Sequence, residues 1–423
     1  MKATIKYQDF VDALHDIKQV APRKSTLPII TNIILIAEGN KLTLSATDLD
    51  NWMVIECKAR VAEHGTIVIP PGQLDALLAN ITGKEINIIT KAHMEEINRD
   101  YDELDSDRRA GIPEDQIKKT KKIKKWDFKA VIGQTDIALP AHDRTDFPPF
   151  PGIFENCPRI KFSDLSAGIK QVQYARCTES SRPVLENICL QPVKRKMFIT
   201  AADGHRAAIA PLQAKGKLDQ QLVLRPETTN IISRIMPGPI QMQYWKGSKD
   251  NSPTMMFTQG KKTLIATTYF GTFPNVTSLM PKKLSRTVVF DREAAMKAIR
   301  SMAMVDENIR MVASAGKMKI FTNDGGAIKV NTIIKATGKV ALCTKGKHLL
   351  EAIGIFKDKV TVKTAKGTGP ILFQNGPDIH LVMPVADPDI YPQKSQVIDP
   401  KQIISQSPTP AVPIPETREP VTV

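Results

Sequence analysis

One pattern of apolar and polar positions occurs three times along the chain. The segments 41–48, 196–203 and 317–324 each begin with a lysine, place apolar residues at alternating positions and reach an aspartate seven residues later. Alternation over such a short stretch is typical of a strand with one buried face, and the aspartate suits the turn that ends it. The three segments therefore predict three equivalent strands.

Each of these strands lies between two stretches with apolar residues three and four positions apart, which predicts amphipathic helices. The first helices of the three repeats contain Phe10, Val11, Leu14 and Ile17; Leu165, Ile169 and Val172; and Ala294, Met296, Ile299 and Met302. The second helices contain Leu74, Leu77, Leu78 and Ile81; Ile231, Ile232 and Ile235; and Leu349, Leu350 and Ile353. Further strands are predicted at 85–90, 239–245 and 359–365. The repeating unit is helix, strands, helix, strands, which is an α+β fold class.

The spacing of the repeats indicates an insertion in the first of them. The first interval between aspartates is 203 − 48 = 155 residues and the second is 324 − 203 = 121. The excess of 34 nearly equals the length of a charged segment at 91–125, for which the composition predicts a solvated helix over 94–104. We therefore predict three equivalent domains at 1–153, 154–283 and 284–386, the first carrying this insertion.

The end of the chain has a different composition. Eight of its prolines lie between residues 388 and 420, with Ser, Thr and Gln among them. Such a segment buries too little apolar area to offset the entropy of ordering it. We predict that 387–423 is a disordered tail.

Composition and charge narrow the class of protein. The 423 residues contain 42% hydrophobic and 24% charged residues and five scattered cysteines. There is no apolar run long enough to span a membrane and no signal sequence at the start, which disfavours membrane and secreted proteins. The scattered cysteines fit a reducing cytoplasm.

The positive charge belongs to the predicted domains. The net charge is 59 − 44 = +15, while the segment 91–125 contributes 10 − 9 = +1 and the stretch after residue 386 contributes 3 − 5 = −2. The remainder of the chain thus carries about +16, which indicates a polyanionic partner for the folded body.

The sequence lacks the motifs of an enzyme. It has no glycine-rich phosphate loop, no paired-carboxylate nuclease pattern and no cluster of metal ligands. His205 follows Asp203, but no serine or cysteine nucleophile motif accompanies the pair. We predict a non-enzyme without a cofactor, a metal or catalytic residues.

Five separated motifs resemble one protein family. Five places along the chain are similar, in this order, to motifs of the bacterial DNA polymerase III beta subunit, the beta sliding clamp: 26–35 followed by 42–50, Phe147–Pro151, 182–185 through 202–206, Phe273-Pro274 with Met280-Pro281 after it, and Leu381–Val385. The resemblance spans about 1–90 and 126–386 and leaves the insertion and the tail uncovered.

The resemblance implies a head-to-tail homodimer whose six domains close a ring around duplex DNA, with helices lining the hole and antiparallel sheets outside. Such a ring tethers the replicative polymerase for processivity and acts in the cytoplasm on the nucleoid. DNA polymerase III catalytic subunit and clamp loader would bind through linear peptides. A protein that slides should contact phosphates, which carry no sequence information.

The resemblance also implies three sets of functional residues. DNA would be contacted by Arg23, Lys24, Lys170, Arg176, Arg182, Lys297 and Arg300. An apolar pocket for partner peptides would be lined by Leu185, Gly204, His205, Arg206, Pro274, Leu279, Leu381, Met383, Pro384 and Val385, with His205 and Arg206 offering polar contacts at its edge. The dimer joint would pair Ile137 and Leu139 with Met302 and Met304.

Alternatives stay open at this point. The chain could be a specialised or mobile-element clamp whose basic surface grips DNA directly, a monomeric DNA-binding scaffold, or an enzyme of DNA metabolism on the same repeats. The tail adds a further hypothesis, because 396–399 and 402–405 loosely resemble the glutamine-plus-apolar peptides that the pocket would take, and could compete in cis.

Overall fold

The structure is a computed structural model. It describes residues 1–98, 120–152, 157–179, 182–245, 253–281, 283–322, 331–365 and 369–387, together with Ser106, Arg109, Ala110 and Ile390. The predicted disordered tail, its two peptide-like segments and the aspartate of the third repeat, Asp324, lie outside the described residues.

The helices form where the apolar periodicity predicts them. They are α1 Tyr7–Ile17, α2 Pro71–Leu78, α3 Leu165–Val172, α4 Pro226–Ile235, α5 Arg292–Met302 and α6 Gly346–Gly354. Two of them begin at a side-chain cap, since the carboxylates of Asp164 and Asp291 accept hydrogen bonds from the amides of Ala167 and Ala294. The helices pack in pairs, α1 on α2, α3 on α4 and α5 on α6, and each buries its apolar side against the sheets.

Among the described residues the strands fall into three units of eight, nine and eight. The first unit contains β1 Lys2–Lys6, β2 Ile33–Glu38, β3 Lys41–Thr47, β4 Asn51–Glu63, β5 Gly65–Ile69, β6 Glu85–Asn98, β7 Thr120–Ile132 and β8 Thr135–Ala141. The second contains β10 Ile188–Val193, β11 Lys196–Ala202, β12 Arg206–Leu212, β14 Leu222–Leu224, β15 Ile240–Trp245, β16 Thr254–Gln259 and β17 Lys262–Thr267, with the short β9 Arg159–Phe162 and β13 Ala214–Lys215. The third contains β18 Arg286–Asp291, β19 Asn308–Ser314, β20 Lys317–Phe321, β21 Asn331–Gly338, β22 Val340–Lys345, β23 Lys359–Thr364, β24 Ile371–Asn375 and β25 Asp378–Val382.

Every unit has the same strand order. In the first it runs β5-β2-β3-β4-β1-β6-β7-β8, and in the third β22-β19-β20-β21-β18-β23-β24-β25. The second unit follows this order with β12 and β13 sharing one place, since β13 continues the chain from β12 and pairs with β9. The three predicted repeat strands are β3, β11 and β20, and they occupy the same place in each unit.

Two joints connect the units, and both are built alike. The last strand of the second unit, β17, pairs antiparallel with the fourth strand of the first unit, β4. The last strand of the third unit, β25, pairs antiparallel with the corresponding strand of the second unit, β12. These joints extend the sheets from one unit into the next. The predicted domain limits at 153/154 and 283/284 fall between β8 and β9 and between β17 and β18, and they stay predictions.

The prediction of a solvated helix over 94–104 was wrong for the part of it that is described. Residues 85–98 form one strand, β6, whose outer half pairs with β7 from Asn98↔Thr120 to Lys91↔Asp127. The start of the insertion thus lengthens a hairpin of the first unit. Cross-strand side-chain contacts support this pairing, since Lys125 forms an ion pair with Glu95 and His93 Nδ1 lies 3.0 Å from Asp127.

Candidate nucleic-acid and peptide interfaces

The helices present cations on the side turned away from the sheets. Lys170 on α3 and Lys297 and Arg300 on α5 are exposed, while the neighbouring Ile169, Met296 and Ile299 are buried. The structure thus places three of the seven predicted DNA contacts on the side of the helix layer that faces away from the sheets.

Two more of the predicted cations, Arg23 and Lys24, lie exposed in the loop after α1. Arg23 lines a cleft of about 860 Å³ where the first unit meets α4 of the second, and Arg234 lines the same cleft from α4. Sequence reasoning missed Arg234, and also Lys347, which is exposed on α6. The signal was available, because both residues fall at polar positions of their helical repeat.

Arg176 and Arg182 are placed differently from the prediction. Arg176 is partly buried, its Nε donates to the carbonyl of Gln173 at 3.3 Å, and burial lowers the pKa of its guanidinium. Arg182 is exposed, but its guanidinium covers Gly204: an added Cβ there would lie 2.2 Å from Arg182 Nη1. Arg182 therefore belongs to the rim of the predicted peptide pocket and not to the helix layer.

The first helix of the chain is acidic, unlike α3 and α5. Its polar side carries Asp9, Asp12 and Asp16. Asp16 pairs with Lys262 of β17 at 2.7 Å and so spans the joint between the first two units. Cationic character in the helix layer comes from the second and third units and from the loop after α1.

The predicted peptide pocket has an apolar floor at the joint between the second and third units. Leu185 and Leu381 are buried in one cluster with Ala202, Ala207 and Phe273. The β12–β25 pairing creates this cluster, since it places Ala207 directly opposite Leu381. Alanines occupy two of these five positions.

Exposed apolar side chains surround this floor. Leu279 is 52% exposed and Met383 is 38% exposed. The amide of Met383 donates to the carbonyl of His205 at 2.7 Å, and the amide of Val385 donates to the carbonyl of Cys343 at 2.9 Å. These bonds fix the segment after β25 beside the turn that follows β11. Of the remaining predicted residues, Gly204 and Pro274 are exposed and Pro384 is partly exposed.

Arg206 was expected to offer a polar contact to a bound peptide, but it is buried and already paired. Its Nε lies 2.7 Å from Asp203, and its Nη1 pairs with Glu351 of α6 in the third unit. Its guanidinium also lies 5.6 Å from the centre of the Tyr174 ring. Arg206 thus holds the second unit to the third, and His205, which stacks on His348 at 6.1 Å, is the exposed polar group of the pair.

A buried histidine completes this joint. The hydroxyl of Tyr174, just after α3, lies 2.8 Å from Nδ1 of His380 on β25. His380 is fully buried, and burial lowers its pKa to about 4 and raises the pKa of the Tyr174 hydroxyl.

Acidification is therefore expected to destabilise the protein through His380. A histidine in an unfolded chain has a pKa near 6.5. Between roughly pH 6.5 and 4, His380 is therefore protonated in the unfolded chain but stays neutral in the folded chain. The stabilisation is fully present above pH 6.5 and falls as the pH approaches 4, by about 3 kcal/mol. Urea unfolding across this range should show the decrease, and His380→Gln should remove this part of it. Parallel pH profiles for the two proteins would contradict the prediction.

The predicted dimer residues divide into buried and exposed members. Met302 is fully buried in the core of the third unit and Ile137 is 6% exposed, so neither offers much surface to a second chain. Met302 ends α5, and its side chain packs in the core of the third unit. Met304 is 89% exposed, and Leu139 on β8 is partly buried.

Neither metal nor membrane features appear among the described residues. That part of the chain holds no cluster of three or more His, Cys, Asp or Glu side chains able to bind a metal ion. Its helices are also too short and too polar to cross a bilayer.

A family model of beta subunits and two curated beta sliding clamps match this chain. Residues 1–108 match the family model of the DNA polymerase III beta subunit, N-terminal domain. The beta sliding clamp of Pseudomonas putida is 25% identical over 335 residues, which cover 77% of this chain and 81% of the relative. The beta sliding clamp of Staphylococcus epidermidis is 21% identical over 410 residues, which cover 91% of this chain and 99% of the relative.

Solved structures share the fold over nearly the whole chain. A sliding clamp from Pseudomonas aeruginosa bound to griselimycin superposes with a TM-score of 0.75 at 19% identity, covering 92% of this chain and all of that one. The sliding clamp of Bacillus subtilis gives a TM-score of 0.74 at 17% identity, with 92% and 99% covered. The expected α+β architecture of clamp domains is confirmed.

Proposed function

We propose that this chain, which is related to the beta subunit of bacterial DNA polymerase III, is a DNA sliding clamp. Two copies form a ring that encircles duplex DNA and tethers the replicative polymerase and other replication or repair proteins. The ring acts by topological linkage and catalyses no reaction. It works inside the cell on nucleoid DNA, in the reducing cytoplasm that its free cysteines suit.

The repeated construction of the joints carries this proposal. Each unit offers a last strand and a fourth strand for pairing, and the two internal joints use β17 with β4 and β25 with β12. Within the described residues two strands have no such partner in another unit: β8, the last strand of the first unit, and β21, the fourth strand of the third unit. A head-to-tail second copy would pair β8 with β21 twice, which closes the sheets and removes both edges.

The side chains at these ends fit such a joint. Tyr174, after α3, reaches β25 across the second joint, and Asp16, at the end of α1, reaches β17 across the first. Met304, after α5, occupies the same place relative to the joint between copies. Its exposed side chain would meet Leu139 on β8 of the second copy, in place of the predicted contact of Met302.

The helix layer would face the DNA. A closed ring of sheets places the helices toward its centre, where Lys170, Lys297, Arg300, Arg234 and Lys347 would meet phosphates. Contacts of this kind bind without reading sequence and so permit sliding.

The pocket at the second joint would bind linear peptides of the polymerase and the clamp loader. Its floor of Leu185 and Leu381 and its rim of Leu279 and Met383 provide the adaptable apolar contacts that such peptides need. Arg182 and His205 would add polar contacts at the edge.

Neutralising three cations of the helix layer, which we call the inner cations, should weaken the electrostatic binding of a short duplex that can pass through the ring. For the triple variant Lys170→Gln, Lys297→Gln and Arg300→Gln, the slope of log affinity against log salt should fall by roughly 0.9 for each phosphate that the variant no longer neutralises. The matched control neutralises Lys58, Lys196 and Lys215, which are exposed on strands, and should keep the slope. An unchanged slope in the inner variant, or an equal fall in the control, would contradict a DNA-facing helix layer.

A further inference from the structure

The inner cations explain only part of the net charge of +15. Another group of cations lies on the opposite side of the third unit, on the face of the sheet that is not covered by α5 and α6. In β20, Met318 and Ile320 are buried under the helices, whereas the alternate residues are exposed. The exposed side of β20, β21, β18 and β23, which we call the outer lysine face, carries five lysines: Lys317, Lys319, Lys335, Lys359 and Lys363.

The strand register arranges these lysines as a grid. Lys317 lies directly opposite Lys335, and Lys359 lies opposite Asp291. Alternate residues of a strand are about 6.6 to 6.8 Å apart, and neighbouring strands about 4.8 Å apart. Two lysines placed directly opposite each other repel, so this arrangement is unfavourable unless an anion lies over it.

Within the described residues, this face holds the carboxylate of Asp291, opposite Lys359, but no ion pair between a carboxylate and one of its lysines. The carboxylate of Asp291 caps α5, and Lys363 Nζ donates to Gln374 Oε1 at 2.7 Å. On the outer face of the first unit three cations are paired: Lys2 with Glu63 at 2.5 Å, Lys41 with Glu56 at 2.6 Å and Arg60 with Glu85 at 2.8 Å. Lysines also lie opposite lysines at Lys41↔Lys58 in the first unit and at Lys161↔Lys215 in the second. What distinguishes the outer lysine face is that five lysines share one sheet surface with exposed apolar and aromatic side chains.

Apolar and aromatic side chains stand among the lysines. Ile333, opposite Lys319, is 61% exposed, and Phe321 is partly exposed at the end of β20. Lys319 Nζ lies 4.9 Å from the centre of the Phe321 ring. Thr287, Thr337 and Thr361 add hydroxyl donors. A flat sheet that combines cations with an aromatic ring is suited to unpaired nucleotides, whose phosphates meet the cations while a base stacks on the ring.

We propose that the outer lysine face binds single-stranded nucleic acid. A duplex would meet the lysines but leave Phe321 and Ile333 unused, because its bases are already stacked. An acidic protein segment would likewise use only the charges. The inference concerns this sheet face alone and holds whether or not two copies close a ring around duplex DNA.

The test measures binding of the full chain to covalently circular single-stranded DNA without a clamp loader, so that a closed ring cannot thread its ligand. Replacing four lysines, Lys317→Gln, Lys319→Gln, Lys335→Gln and Lys359→Gln, should weaken binding at least tenfold and reduce the salt slope by roughly 0.7 for each phosphate that the variant no longer neutralises. Phe321→Ala should weaken binding about tenfold because the stacked base loses its ring, with binding to circular duplex DNA unchanged.

The control neutralises Lys58, Lys196 and Lys215, which lie on strands of the other units, and should bind circular single strands as the parent does. Thermal unfolding confirms that each variant is folded. Three results would overturn the proposal: undiminished binding by the four-lysine variant, an equal decrease in the control, or a Phe321→Ala variant that binds single strands as well as the parent. In a competition, displacement by polyglutamate as effective as that by an oligonucleotide of equal charge would assign the face to acidic protein segments instead.

Discussion

Replacing Met304 with aspartate is expected to separate the ring into single chains and to abolish retention on circular DNA. Met304 is 89% exposed in the single chain, just after α5. In the joint between copies its side chain would be enclosed against β8 of the second copy. A carboxylate enclosed there without a partner loses its hydration, and a cost of about 3 kcal/mol at each of the two joints would weaken the dimer roughly ten-thousandfold.

Mass in solution as a function of concentration measures this effect directly. The parent should weigh twice the 46.8 kDa of one chain, while Met304→Asp should weigh 46.8 kDa over the same concentrations. Met383→Asp is the matched control, because Met383 is also exposed but lies at the peptide pocket. A dimeric Met304→Asp variant would place the joint elsewhere on the chain.

Replacing Arg206 with methionine is expected to destabilise the protein by about 3 to 5 kcal/mol. Arg206 is 7% exposed and pairs with Asp203 and Glu351, so its removal leaves two carboxylates facing each other without a cation. Because these groups come from the second and third units, the destabilisation should fall on their joint and on the peptide pocket that the joint forms.

Urea unfolding gives the first part of this result, and affinity for a polymerase-derived peptide gives the second. Lys41→Met is the control, since it breaks the ion pair with Glu56, in which both side chains are about half exposed. That substitution should cost at most about 1 kcal/mol. If Arg206→Met costs no more than the control, the buried cluster does not hold the joint.

The sequence predicted the fold well because the same unit is encoded three times. Apolar spacing placed the six helices, and alternation placed β3, β11 and β20. The spacing of buried residues along a helix or a strand is set by the geometry of that element alone, so the apolar pattern can be recognised without knowing the tertiary structure. The long strand β6 escaped because Met94 and its polar neighbours are exposed, and their pairing with β7 supplies what the local pattern lacks.

The site was predicted less evenly. Lys170, Lys297 and Arg300 could be placed because exposure follows from the helical repeat. Arg206 and Met302 could not, because their burial depends on contacts made in the folded chain: Glu351 reaches Arg206 from another unit, and the core of the third unit encloses Met302. The role of Arg182 depends on its position over Gly204, which only the fold determines.

The most direct test of encirclement compares retention on circular and linearised duplex DNA after loading by a clamp loader. Salt is kept high enough to screen phosphate contacts, including any made by the outer faces. Encirclement predicts that the protein stays on the circle and is released when the same DNA is cut, since it slides off the free ends. Equal retention on both forms would contradict the ring and would mean that the basic surface grips DNA directly.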